Sequence, residues 1–202
     1  MKVYVTRHGE TDYNRQRKMQ GYQEIPLNDR GIAQAGQLAQ RFTAAAPDHI
    51  VCSDLRRAVM TGCIVAAATG TPMTYCTDLR ERNPGLLVES DYDDAPGFFT
   101  DPDFVPPGGE SVPTFRARVR EAFEQLARDY ATKVETLLVV THGMVCQAFV
   151  HEFFGPEASE GVGSANTMLT VARVESGVWH LEVASCTAHL VSESQAHGST
   201  GA

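Results

Sequence analysis

His8, in Thr6-Arg7-His8-Gly9-Glu10-Thr11, and His142, in Val140-Thr141-His142-Gly143, each follow an apolar strand-like run and precede a glycine. The runs are Val3-Tyr4-Val5 and Leu137-Leu138-Val139-Val140. Parallel strands are buried on both faces, read as continuous apolar runs, and open at their carboxyl ends onto a ligand crevice. Side by side, two such strands would deliver both imidazoles to one crevice, with Arg7 beside them. A neutral imidazole nitrogen is nucleophilic near neutral pH, so a histidine is a competent phosphoryl acceptor. Transfer then asks chiefly for in-line positioning and for positive charge on the equatorial oxygens.

Further residues supply parts of that chemistry. Ser53-Asp54-Leu55-Arg56-Arg57-Ala58 puts a guanidinium at the start of a helix, where backbone amides also favour anions. Its planar fork suits phosphate oxygens, whereas the neighbouring Arg56 reads as a solvated surface charge. Asn14, six positions after His8, can donate to a phosphate oxygen or cap its local turn. Glu81, in Leu79-Arg80-Glu81-Arg82-Asn83-Pro84-Gly85, is a candidate acid for a leaving alkoxide. Its flanking arginines leave a structural ion pair open as the alternative. His8 alone would read as a hydrogen-bonded histidine at a strand end. Arg7, Arg57 and His142 in register give it a chemical reading.

The elements that must hold these groups alternate between strand and helix. Strands are expected at 2–6, 49–52, 73–76, 136–141, 167–174 and 178–184. One helix starts at the Asn28-Asp29 cap with Ile32, Ala35, Leu38, Ala39 and Phe42 inward. A second follows Ser53-Asp54 with Leu55, Ala58, Val59, Cys63 and Ala66 inward. A third is capped by Ser111, with Pro113 in its first turn and Phe115, Val119, Ala122, Leu126 and Tyr130 on one face. A fourth covers 144–154. This alternation predicts a three-layer α/β/α sandwich around a mostly parallel sheet, mixed because the last two strands, joined at Glu175-Ser176-Gly177, read as an antiparallel hairpin. Residues 1–190 are expected to form one domain and the polar segment 191–202 a disordered tail. Residues 83–108 are rich in Pro, Gly, Asp and aromatics without a clear period. A loop of that length is a lid or specificity element, and Tyr92, Phe98, Phe99 and Phe104 could line a leaving-group pocket or anchor the loop.

Composition narrows the partners. With 202 residues, 43% hydrophobic and 21% charged, the chain has enough apolar material for one sizeable core. A formal charge of −8 disfavours nucleic acid and anionic membranes, while leaving room for a small phosphorylated metabolite in a local arginine cluster. Five cysteines without a Cys-x-x-Cys pair and no signal-like apolar start point to reduced thiols and a cytoplasmic location. No pair of histidines with a third ligand stands at zinc-like spacing, so neither metal nor other cofactor is expected. Oligomeric state is left open.

The ordered set Arg7-His8-Gly9-Glu10-Thr11 with Asn14, Gln20-Gly21, Pro26-Leu27, Gly31 with Gln34-Ala35, Leu55 with Arg57-Ala58 and Thr61, Leu79 with Glu81 and Gly85, Gly109-Glu110-Ser111 with Arg118, and His142-Gly143 resembles the histidine phosphatase superfamily. That superfamily includes the cofactor-dependent phosphoglycerate mutases and many small phosphatases. The resemblance implies a phosphoglycerate-mutase-like fold without metal, with His8 as the nucleophile that becomes phosphohistidine. It implies that Arg7, Arg57 and His142 clamp the phosphoryl group. Glu81 would protonate the leaving group and then activate water. The substrate-binding set would be Asn14, Gln20, Gly21 and Gly143. Two departures stand out. Mutases of this type carry a long insert with an Arg-Ser-Tyr-Asp-Pro-Pro stretch between the acid and Gly-Glu-Ser, and only residues 86–108 lie there, which favours phosphatase over mutase. Met144 also stands where small residues are common, and it could narrow the pocket or simply start the helix. A phospho-ligand binding or scaffold role is the reading from another class.

Overall fold

The computed structural model describes residues 1–190; the tail expected at 191–202 lies outside the described residues. The described strands are β1 (Lys2–Arg7), β2 (His49–Cys52), β3 (Met73–Tyr75), β4 (Thr136–Thr141), β5 (Leu169–Glu175) and β6 (Val178–Cys186). They form one sheet in the order β3-β2-β4-β1-β5-β6. The first four strands of that order run parallel, and β5 runs antiparallel to both β1 and β6. The expected mixed sheet is therefore present. Its hairpin is tighter than the three residues read from sequence. Glu175 pairs with Val178, leaving a two-residue turn in which Ser176 (φ 50°) and Gly177 (φ 80°) are both left-handed. That is the turn geometry whose twist matches the flanking strands.

The helices are α1 (Asp12–Arg15), α2 (Asp29–Phe42), α3 (Arg56–Thr69), α4 (Gly97–Thr100), α5 (Val112–Tyr130) and α6 (Gly143–Phe154). Alternation along the central strands separates two cores, because successive side chains point to opposite faces. Val3, Val5, Leu137 and Val139 meet Phe115, Phe123, Val145 and Phe149 of α5 and α6. Leu138, Val140, Ile50 and Cys52 meet Leu38, Phe42, Ala58 and Val65 of α2 and α3. Helix α2 begins where the Asn28 side chain accepts from Gly31 N–H at 2.8 Å, and α5 where Ser111 Oγ accepts from Thr114 N–H at 3.2 Å. These are the caps read from sequence, and each satisfies an otherwise orphaned amide.

Three details differ from the sequence reading. Ile32 is 44% exposed, so α2 turns a residue at apparent core spacing outward. In α3 the buried stripe is Arg57, Ala58, Thr61, Gly62 and Val65, and Cys63 faces solvent. The helix is rotated because Thr61 Oγ accepts from Gly9 N–H at 3.0 Å, and Gly62 lies against Met73 and Cys52 where a side chain would not fit. Residues 83–108 are not structureless. They contain single turns at Gly85–Leu87 and Tyr92–Asp94 together with α4. Arg82 staples this segment to the domain, donating to the carbonyls of Phe98 (2.6 Å), Phe104 (2.8 Å) and Glu110 (3.0 Å).

Phe149 stacks on Phe123 with centroids 4.1 Å apart and meets Trp179 edge-on at 5.2 Å. Phe149→Ala should lower unfolding stability by about 3–5 kcal/mol in urea denaturation, with the cavity under β1 and β4 as the cause.

Candidate active site

Strands β1 and β4 pair in parallel register, Arg7 opposite Thr141, and His8 N–H donates to Thr141 O at 2.9 Å. His8 and His142 thus leave adjacent strand ends, their ring centroids 5.2 Å apart. A cavity of about 460 Å³ is lined by His8, Arg7 and Arg57, with His142 behind His8 and not itself in the lining. Both rings are buried. His8 Nδ1 lies 2.7 Å from Gly9 O. A carbonyl can only accept, so Nδ1 carries the ring proton and Nε2 keeps its lone pair. Burial first, then the charges of Arg57 and Arg7, push the His8 pKa well below the usual imidazole value. The ring is neutral at pH 7, with its nucleophilic nitrogen defined.

His142 shows the complementary arrangement. Its Nε2 is 2.8 Å from Ser53 Oγ, which already accepts from Leu55 N–H at 3.4 Å. The Ser53 hydroxyl has no other acceptor among the described residues, so it donates to Nε2, and the ring proton is assigned to Nδ1. That Nδ1 is buried and finds no partner among the described residues. Burial, Arg57 and His8 lower the His142 pKa in the same way. His142 is thus a neutral donor beside a neutral acceptor.

Two arginines complete the cluster, and both are held by carbonyls. Arg7 Nη1 donates to Ser164 O (2.6 Å) and Gly163 O (3.1 Å). Arg57 donates to Gly21 O (2.9 Å) and Gln23 O (3.1 Å). Carbonyls orient a guanidinium without cancelling its charge. The Nε–H groups of both arginines are buried and unpartnered among the described residues. Burial brings the Arg57 pKa down to about 10, so it stays cationic at neutral pH. Arg118 and Arg80 differ, pairing with Glu110 at 2.8 Å and with Asp54, whereas buried Arg82 also donates to carbonyls but through all three of its nitrogens.

Glu81 lines the cavity and is not in an ion pair with either flanking arginine, since Arg80 is taken by Asp54 and Arg82 by carbonyls. Its carboxyl accepts from Arg82 N–H at 2.9 Å and from Met144 N–H, in the first turn of α6, at 3.2 Å. Burial raises its pKa, outweighing those two amides and the charges of Arg57 and Arg7. A carboxyl in that state can hold a proton further into the neutral range than a solvated one.

The remaining site residues fall around this centre. Asn14 lines the cavity and also closes the capping box of α1, its Oδ1 accepting from Thr11 N–H at 3.2 Å. The amide nitrogen of Asn14 is the group left to face the cavity. Gln20 lines the cavity while its Oε1 accepts from Thr11 Oγ–H at 3.0 Å. Gly21 lines it too and serves Arg57 through its carbonyl. At Gly143 a β-carbon would stand 2.9 Å from Gly163 O, too close, and at ordinary contact distance, 3.5 Å, from Arg7 Nε; a side chain there would displace the Gly163 carbonyl that accepts from Arg7. Tyr92, Phe98 and Phe99 line the cavity, whereas Phe104 packs under Gly97. Met144 does both things expected of it, starting α6 and lining the pocket. Glu10 accepts from Asn28 Nδ2 and Arg30, and so orders the loop.

Sequence reasoning missed Ser53, the carbonyls of residues 163 and 164, and Asn166, whose amide donates to His8 O at 2.9 Å. The Gly161-Val162-Gly163-Ser164 run before β5 is the one local signal that a tight backbone approach occurs there.

Residues 3–187 match the family model described as the histidine phosphatase superfamily (branch 1). The chain belongs to that family, whose activities are those of phosphatases and mutases. It is 34% identical to phosphoglycerate mutase-like protein 4 of Arabidopsis thaliana, over 93% of this chain and 86% of that protein. Bacillus stearothermophilus YhfR superposes with a TM-score of 0.83 at 28% identity, covering 93% of this chain and 98% of that one. A mycobacterial glucosyl-3-phosphoglycerate phosphatase solved with VO3 superposes with a TM-score of 0.81 at 29% identity, covering 92% and 99%.

Arg57→Lys keeps a charge but loses the fork. Calorimetry should show inorganic phosphate binding weakened ~10-fold or more; unchanged affinity would detach Arg57 from the anion site.

Proposed function

We propose that the protein is a phosphomonoesterase acting on a small phosphorylated metabolite through a phosphohistidine on His8. The observation that carries this reading is the trio of buried donors, Arg7 Nε, Arg57 Nε and His142 Nδ1, left without partners beside a histidine whose Nε2 lone pair is free. Buried donors without partners are costly, and one tetrahedral oxyanion is the partner this reading assigns to all three.

In the first step His8 Nε2 attacks phosphorus and the ester P–O bond breaks. Glu81 delivers its proton to the departing alkoxide, while the arginines and His142 hold the equatorial oxygens. In the second step Glu81, now a carboxylate, takes a proton from water as that water attacks phosphorus. The N–P bond breaks and inorganic phosphate leaves. Asn14 and Gln20 add donors, Gly21 holds Arg57 through its carbonyl, and Gly143 leaves room for the Gly163 carbonyl that holds Arg7. No step draws on a metal, so a chelator should leave the rate unchanged. The mutase alternative draws support from the plant relative's name. Hydrolysis draws support from the mycobacterial phosphatase and from the short segment 86–108, which folds into three turns stapled by Arg82 and carries no further insert. The five cysteines are all free thiols, which fits a reducing cytoplasmic setting.

His8→Ala should abolish release of phosphate from an aryl ester and the trapping of labelled phosphate on the acid-quenched protein; undiminished turnover would remove His8 as nucleophile. Glu81→Gln should slow the first step, read as single-turnover release of the alcohol, by ~10²–10⁴-fold for an alkyl ester and far less for a nitrophenyl ester, since only the poor leaving group needs the proton, while hydrolysis of phospho-His8 slows equally for both. Because the acid form is lost as pH rises through a raised pKa, the alkaline limb for the alkyl ester should lie above the ordinary carboxylate range. A limb at the ordinary carboxylate value would contradict Glu81 as the acid.

A further inference from the structure

Beyond the anion cluster, the cavity changes character. The apolar part of its lining comes from Met19, Phe98, Phe99, Met144 and Val162, with Tyr92. Met19, Phe98 and Val162 are buried, and Phe99 is 44% exposed toward the opening. The rings are fixed by one another: Phe98 meets Phe99 edge-on at 5.1 Å, and Tyr92 meets Phe99 at 4.8 Å. Arg82 locks Phe98 from behind, its guanidinium 4.3 Å from the ring centroid and bonded to its carbonyl.

The charges available to a second anionic group are few. Besides Arg7 and Arg57, the lining cations are Arg82 and Arg17. Each nitrogen of Arg82 donates to a main-chain carbonyl. Arg17 pairs with Asp93 at 3.0 Å and lies 5.6 Å from the Tyr92 ring. A phosphoester whose alcohol half carried a carboxylate would find those guanidiniums already engaged, and a sugar would have only Gln147 and Ser164 as polar partners beyond Asn14 and Gln20. An apolar body would instead exclude water from that wall and strengthen every charge at the phosphoryl end.

Resting on the phosphatase reading above, we propose that the substrate's alcohol half is apolar, with an aromatic or branched aliphatic body, and carries no second anion. The same residues then serve as the specificity wall, with Phe99 and Met144 as its adjustable members and the Arg82 staple as its fixed frame.

Binding and turnover separate this inference from the reading beneath it. Calorimetry with the full chain compares two non-hydrolysable ligands of similar length, 2-phenylethylphosphonate and 3-phosphonopropionate. The phenyl ligand should bind at least ~10-fold more tightly, and Phe99→Ser should erase most of that advantage. Turnover then compares 2-phenylethyl phosphate with 3-phosphoglycerate and glucose 6-phosphate. All three are alkyl esters, so leaving-group acidity does not create the preference. A kcat/KM ~10-fold or more in favour of the phenyl ester is expected. Tighter binding of the carboxylated phosphonate, or faster turnover of either polar ester, overturns the proposal. Phenyl-selective binding without release of phosphate from any ester would sustain the apolar wall and overturn hydrolysis instead.

Discussion

The parallel pairing of β1 with β4 is the constraint on which the rest depends. With Arg7 opposite Thr141 and the ladder continued by His8 N–H to Thr141 O, both imidazoles emerge at one level of the sheet. A slip of one residue would send one of the two rings to the opposite face, since side chains alternate. The register is held by burial on both sides: Leu137 and Val139 belong to the α5–α6 core, Leu138 and Val140 to the α2–α3 core. Packing thus sets the geometry of the chemistry.

Electrostatics explain why that geometry favours an anion. The chain as a whole is acidic, at −8, yet Arg7 and Arg57 are held by main-chain carbonyls. Holding a guanidinium out of water costs several kcal/mol unless something offsets it, and neutral carbonyls do so only in part. Burial first, and then the same charges, lower the pKa of both histidines. On the proposed reading, a phosphoryl group would relieve this arrangement by accepting from the arginines and His142 while presenting phosphorus to His8. Glu81 accepts from the first turn of α6 with its pKa raised by burial, which suits the proton transfer proposed for it.

Much of this could be read from the chain because the relevant signals are local. The apolar runs of β1 and β4, the Asn28 and Ser111 caps, and the histidine–glycine pairs each involve a few consecutive residues. What could not be read depends on contacts across the fold. Thr61 turns inward, and Cys63 outward, because of an amide fifty-two positions away in sequence. Ser53 gains its role only when β2 ends beside β4 and its hydroxyl meets His142. The turns within 83–108 have no period to betray them; they are arranged by the Arg82 side chain, whose three carbonyl partners lie 16, 22 and 28 residues on. Residues Gly163 and Ser164 act through their backbone, so side-chain chemistry gave no hint of them.

The central claim is that one tetrahedral oxyanion is seated by His8, His142, Arg7 and Arg57 together. A crystal structure with orthovanadate tests it most directly. Vanadium should be bonded to His8 Nε2, with equatorial oxygens accepting from Arg7 Nε, Arg57 Nε and His142 Nδ1 and one apical oxygen toward Glu81. Vanadate seated elsewhere, or bonded through another atom with those donors turned away, would contradict the account.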